Sequence, residues 1–76
     1  MSEPVILDAK GLKCPLPVLK ARKAMREVAA GGVLRVIATD PGAVKDFEHF
    51  CKTTGHELLV AREEAGALIF DIRKVG

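Results

Sequence analysis

The 76-residue chain has no Trp, no Tyr and only three Phe. Its core must therefore be packed mainly from aliphatic side chains, and it lacks the aromatic platforms on which single-stranded RNA readers stack bases. No stretch approaches the roughly 18 consecutive apolar residues of a membrane span. The first residues show no leader pattern, so a cytoplasmic protein with no membrane partner is expected. Two cysteines far apart, with no Cys-x-x-Cys, argue against a disulfide framework. His49 and Cys51, with Cys14 and His56 elsewhere, match no standard zinc spacing. There is no Gly-rich phosphate loop and no constellation of paired carboxylates. No metal and no cofactor is expected.

A hydrophobic fraction of 49% suffices for one small core, so residues 1–76 are read as one domain. The net charge of +2 is unevenly spread. Residues 1–38 carry Lys10, Lys13, Lys20, Arg22, Lys23, Arg26 and Arg35 against Glu3, Asp8 and Glu27, whereas acids outnumber bases in residues 39–76.

The hydrophobic pattern predicts alternating strands and helices. Residues 1–4 read as a frayed end. Val5-Ile6-Leu7-Asp8-Ala9 has the length and branching of a strand. A helix is expected over 16–29, with Val18, Ala21, Met25 and Val28 on its apolar side and Gly31-Gly32 ending it. A second strand over 33–39 leads to Asp40-Pro41, which fits an N-cap followed by the first helical position. The second helix runs to about Thr53 with Val44, Phe47 and Cys51 inward and Phe50 beside them, and Gly55 stops it. Cys51 thus reads as core. Strands over 57–63 and 67–74 are joined by Glu64-Ala65-Gly66 as a hairpin. The order βαβαββ, with right-handed connections, implies a two-layer α/β (α+β) sandwich: a four-stranded sheet with both helices on one face. Strands one and two are then parallel, so their C-terminal ends meet at one sheet edge, where such folds commonly place ligands. That edge collects Asp8, Cys14 and Asp40. The opposite sheet face is expected to expose Ile6, Ile37 and Ile69.

At that edge lies Gly11-Leu12-Lys13-Cys14-Pro15-Leu16-Pro17. Cys14 stands at a helix start, where the dipole and the nearby Lys10 and Lys13 favour a thiolate. Pro15 is expected near the first helical position. Pro15 and Pro17 remove two N–H donors, which weakens that effect, and act as a rigid pedestal that presents the thiol outward. The plainer alternative is a buried, inert cysteine ahead of a proline-started helix.

The stretch Leu7-Asp8-Ala9-Lys10-Gly11-Leu12-Lys13-Cys14-Pro15-Leu16-Pro17-Val18-Leu19-Lys20 resembles the signature of the TusA-like (SirA-like) small sulfur-carrier proteins, centred on Cys-Pro-x-Pro. The resemblance continues through residues 37–42, 50–56 and 72–74. It implies a mixed sheet in which strand four lies antiparallel between strands two and three. It also implies that Cys14 carries sulfur as a persulfide, received from a cysteine desulfurase or rhodanese-like donor. Acceptors in that family lead to tRNA thiolation, cofactor synthesis or sulfur metabolism.

The residues suit such a carrier better than a self-contained catalyst. One nucleophile is present and no general base is evident. Thiolate attack on a donor's sulfane sulfur follows the logic of thiol–disulfide exchange. Lys20, Arg22, Lys23 and Arg26 form a basic helix face suited to docking an acidic partner surface, or else a solvated face with Lys23 paired to Glu27. A monomer with an accessible Cys14 is expected, without direct nucleic-acid contact. The competing reading is a small RNA- or protein-binding regulatory module in which Cys14 is chemically idle. A thiol redox sensor would need Cys51 as its resolving partner.

Overall fold

The computed structural model describes residues 4–75, so the expected frayed end lies largely outside the described residues. The elements are β1 (Val5–Ala9), α1 (Leu16–Met25), β2 (Val33–Ala38), α2 (Ala43–Thr54), β3 (Glu57–Glu64) and β4 (Ala67–Arg73). The sheet order is β1-β2-β4-β3. β1 pairs parallel with β2, and β4 is antiparallel to both β2 and β3. This is the expected βαβαββ mixed sheet.

The alternation of residues along the strands builds the core. Leu34, Val36 and Ala38 of β2 and Phe70 and Ile72 of β4 are buried beneath the helices, in the register Leu34↔Ile72 and Val36↔Phe70. From α1 come Pro17, Ala21 and Met25, spaced by four. From α2 come Ala43, Phe47, Phe50 and Cys51. The few aromatics are concentrated here: the Phe47 ring stacks on Phe70 at 4.7 Å and meets Phe50 edge-on at 6.4 Å.

α1 is shorter than the periodicity predicts. It ends at Met25, and the chain leaves it through three-residue turns from Arg26 N–H to Lys23 O and from Val28 N–H to Met25 O. These turns bury Val28 in the core although it lies outside the helix. Gly32 then passes so close to the preceding turn that a Cβ would stand 2.9 Å from Ala29 O. Only glycine fits there.

β3 is an edge strand. A bulge between Leu58 and Val60 breaks its register, and glutamates line its far end, two features that blunt pairing with another chain. The β3–β4 hairpin closes through Ala65 and Gly66, both at positive φ (52° and 81°).

The uncovered sheet face differs from the expected apolar patch. Ile6 is exposed, but Ile37 and Ile69 are half-buried. The next row holds a two-pronged ion pair, Arg35 Nε and Nη2 to the Asp71 carboxylate at 2.8 and 3.1 Å. Arg35 covers Asp71, which is 8% exposed.

Candidate functional site

Parallel pairing of β1 and β2 brings the N-terminal ends of α1 and α2 to the same sheet edge. The loop after β1 is folded by side chains from both sides. Asp8 Oδ1 accepts the Lys10 N–H at 3.0 Å, closing a two-residue turn. The Thr39 hydroxyl accepts the Gly11 N–H at 2.9 Å. Asp40 Oδ2 accepts the Cys14 N–H at 2.5 Å, while its Oδ1 accepts the Gly42 N–H at 3.1 Å. Asp40 thus fastens the cysteine loop to the loop before α2.

This corrects the expected N-cap. α2 begins at Ala43 with Gly42 before it, and no side chain caps it. The Asp40 carboxylate is committed instead to two loop amides. Those amides, first Cys14 and then Gly42, hold its pKa below the usual carboxylate value, and the Lys13 charge adds to the effect.

Cys14 is exposed and free, two residues before α1, and the Cys14–Pro15 peptide is cis. Pro15 sits one position before the helix rather than at its first residue. Pro17 lies within the first turn and is fully buried. The pedestal is therefore Pro17 packed into the core, with Pro15 turned toward solvent.

The thiol is not acidified. Cys14 Sγ donates to Asp46 Oδ2, a contact from the first turn of α2. That hydrogen bond, with desolvation and the charges of Asp46 and Asp40, pushes the thiol pKa up from 9.0 to about 11. Lys10 and Lys13, expected to favour a thiolate, are not among the groups that shift the Cys14 thiol. The groups against the sulfur are acidic, and Lys13 acts on Asp40.

Asp46 was not singled out in the sequence. A signal for it existed. If both helices start at one edge, a first-turn acid of α2 belongs beside a residue that starts α1. Gly42 is the other unforeseen neighbour: a Cβ there would touch Cys14 Cβ at 3.4 Å.

A cleft of about 280 Å³ opens beside the cysteine loop between α1 and α2, lined by Pro15, Val18, Leu19, Arg22, Asp46, His49, Phe50 and Thr53. The basic residues of α1 are exposed but do not form one patch. Arg22 leans over the Phe50 ring at 5.9 Å, and Arg22 and Arg26 line a second cleft against α2 with His56 and Lys74. Lys20 and Lys23 line a third cleft with Leu7, Ala24 and Glu27 on the β1 side. Among the described residues, Lys23 and Glu27 make no ion pair; the bridges are Arg35–Asp71, Arg62–Glu64 and Arg73–Glu57.

Cys51 is buried, and burial raises its thiol pKa. Among the described residues no group of three or more His, Cys, Asp or Glu is arranged to hold a metal ion. Likewise, no helix among them is long and apolar enough to cross a membrane.

The family model described as "Sulfurtransferase TusA" matches residues 5–74. A sulfur carrier protein TusA from Allochromatium vinosum is 56% identical over 68 residues, spanning 90% of each chain. Another, from Pseudomonas entomophila, is 57% identical over 90% of this chain and 85% of its own. Among solved structures, the crystal structure of a SirA-like protein from Desulfitobacterium hafniense superposes with a TM-score of 0.81, at 26% identity, covering 95% of this chain and 99% of that one.

Proposed function

The chain belongs to the TusA sulfurtransferase family, and from that membership we propose that it is a sulfur carrier whose Cys14 accepts sulfane sulfur as a persulfide and relays it to an acceptor protein. The observation that carries this reading is the placement of the two thiols. Cys14 is exposed on a loop tied down by Asp40, whereas Cys51 is buried. A carrier needs one thiol that two partners reach in turn, and no second thiol within reach to discharge its cargo as a disulfide.

The donor is a persulfide-bearing protein of the cysteine desulfurase or rhodanese-like kind, and the acceptor presents a thiol in its turn. Docking uses the surface around Cys14, where Arg22 of α1 lines the adjoining cleft and offers positive charge to an acidic partner; Lys20 and Lys23 face the β1 side, and Arg26 follows the end of α1. Asp8 and Asp40 hold the loop by its amides and Pro17 seats it on the core, Pro15 follows the thiol, and Lys10 and Lys13 stand ready to favour the persulfide anion. A thiol that must be regenerated after each delivery suits the reducing cytosol, and an unobstructed Cys14 suits a monomer.

Intact-protein mass spectrometry after incubation with a cysteine desulfurase and cysteine tests the reading. A dithiothreitol-reversible gain of one sulfur atom is expected in the wild type and in Cys51→Ser, but not in Cys14→Ser. No gain from either a desulfurase or a rhodanese with thiosulfate would overturn it, provided Cys14 still reacts with iodoacetamide.

A further inference from the structure

We propose that Asp46 is a second catalytic residue of the sulfur relay, the group that takes the Cys14 proton when sulfur is loaded and returns a proton when it is delivered. The proposal rests on the reading of Cys14 as the sulfur-bearing residue.

Three observations carry it. First, the Asp46 carboxylate touches the sulfur itself: Cys14 Sγ–H donates to Asp46 Oδ2. Second, the other nearby acid is already engaged. Both oxygens of Asp40 accept backbone N–H groups, from Cys14 and Gly42. Third, Asp46 also lines the open cleft with Pro15, Arg22 and His49. A partner's sulfur and water can therefore approach the same carboxylate from outside. The charged and titratable groups around the pair are Asp40 on the loop before α2, Arg22 on α1 and His49 on the next turn of α2, while Lys13 acts on Asp40.

The chemistry needs such a group. The thiolate is the nucleophilic form of cysteine, and the acids beside Cys14 favour its protonated form, so the proton must leave as the sulfur attacks. A carboxylate is too weak a base to strip the resting thiol outright. It accepts the proton as the new S–S bond forms and the sulfur loses basicity.

In loading, Cys14 Sγ bonds the terminal sulfur of the donor persulfide. The donor's S–S bond breaks, its electron pair stays on the donor's cysteine sulfur, and the Cys14 proton passes through Asp46 to that sulfur. The products are Cys14–S–SH and a donor thiol. In delivery, an acceptor thiol gives its proton to Asp46 and attacks the terminal sulfur. Cys14 sulfur leaves with the bonding pair and recovers the proton from Asp46. The products are an acceptor persulfide and the Cys14 thiol. No external oxidant or reductant is consumed in either direction.

The test compares wild type, Asp46→Asn and Asp46→Ala in two reactions across pH 5–10, with thermal melts verifying that the variants fold. For iodoacetamide alkylation, moving the thiol from about 11 toward 9.0 raises the thiolate fraction about a hundredfold. Its nucleophilicity falls about tenfold over the same interval, so alkylation near neutral pH is expected to quicken about tenfold in both variants. For persulfide loading from a cysteine desulfurase with cysteine, and from inorganic polysulfide, the rate is expected to fall at least tenfold. Loading that quickens together with alkylation would make Asp46 a brake on the thiol and overturn the proposal. Slowing with the desulfurase but not with polysulfide would make it a docking residue and overturn it equally. A wild type that gains no sulfur, or a Cys14→Ser chain that does, would instead overturn the reading of Cys14.

Discussion

Asp40 holds Cys14 by its backbone: the carboxylate accepts the Cys14 N–H through one oxygen and the Gly42 N–H through the other, across 26 residues of sequence. Its pKa is depressed by those bonds. A depressed carboxylate contributes stability above its unfolded value of about 3.9, and that stability is lost as pH falls through the folded value. Asp40→Asn is therefore expected to flatten the acid limb of the stability curve, measured by urea denaturation between pH 3 and 7, and to speed amide exchange at Cys14. An unchanged acid limb would show that the tether carries no pH-dependent stability.

The raised thiol pKa makes a prediction of opposite sign. The Cys14 proton is bound more tightly in the folded chain than in the unfolded one. The stability from its bond to Asp46 is thus complete below about pH 9 and lost as pH rises through about 11. In wild-type protein the iodoacetamide rate should still be climbing at pH 10. A plateau near pH 9 would mean that Asp46 does not hold the thiol.

Phe47 anchors α2 to the sheet by stacking on Phe70. Phe47→Ala is expected to cost about 3–5 kcal/mol. The whole stability of a small domain is only about 5 kcal/mol or a little more, so circular dichroism should find much of the variant unfolded at 37 °C.

Ala65 sits at φ 52° in a two-residue hairpin turn, where a non-glycine side chain crowds the backbone and Asn is tolerated better. Ala65→Asn is expected to stabilise by about 0.5–1 kcal/mol, read as a higher urea midpoint at unchanged slope.

The elements whose residues repeat at a clear period were legible before any coordinates. The spacing of Phe47 and Cys51 in α2 matches their burial, although Ala43 rather than the expected Val44 is the fully buried residue at the start of that helix. The end of α1 was not legible, because Val28 is at helical spacing from Met25 and is buried, but reaches the core from a tighter turn. Asp40-Pro41 carries the local pattern of a helix start, yet the carboxylate finds two loop amides that only the folded chain brings near. The basic residues Lys20, Arg22, Lys23 and Arg26 lie close together in sequence, but which cleft each lines depends on how α1 packs against β1 and α2. The exposed place of Cys14 ahead of α1 was legible from its motif. Its charge state was not, because the deciding contact comes from a residue 32 positions away.

That separation means the quiet thiol is a product of folding. A chain still being made, or one that has opened, carries Cys14 with neither Asp40 nor Asp46 against it, and so with an ordinary cysteine's appetite for electrophiles. Docking of the two helix starts lowers that appetite before any cargo arrives. Cellular oxidants and alkylators would accordingly mark the misfolded fraction first, leaving the folded chain's sulfur for partners that approach it through the cleft.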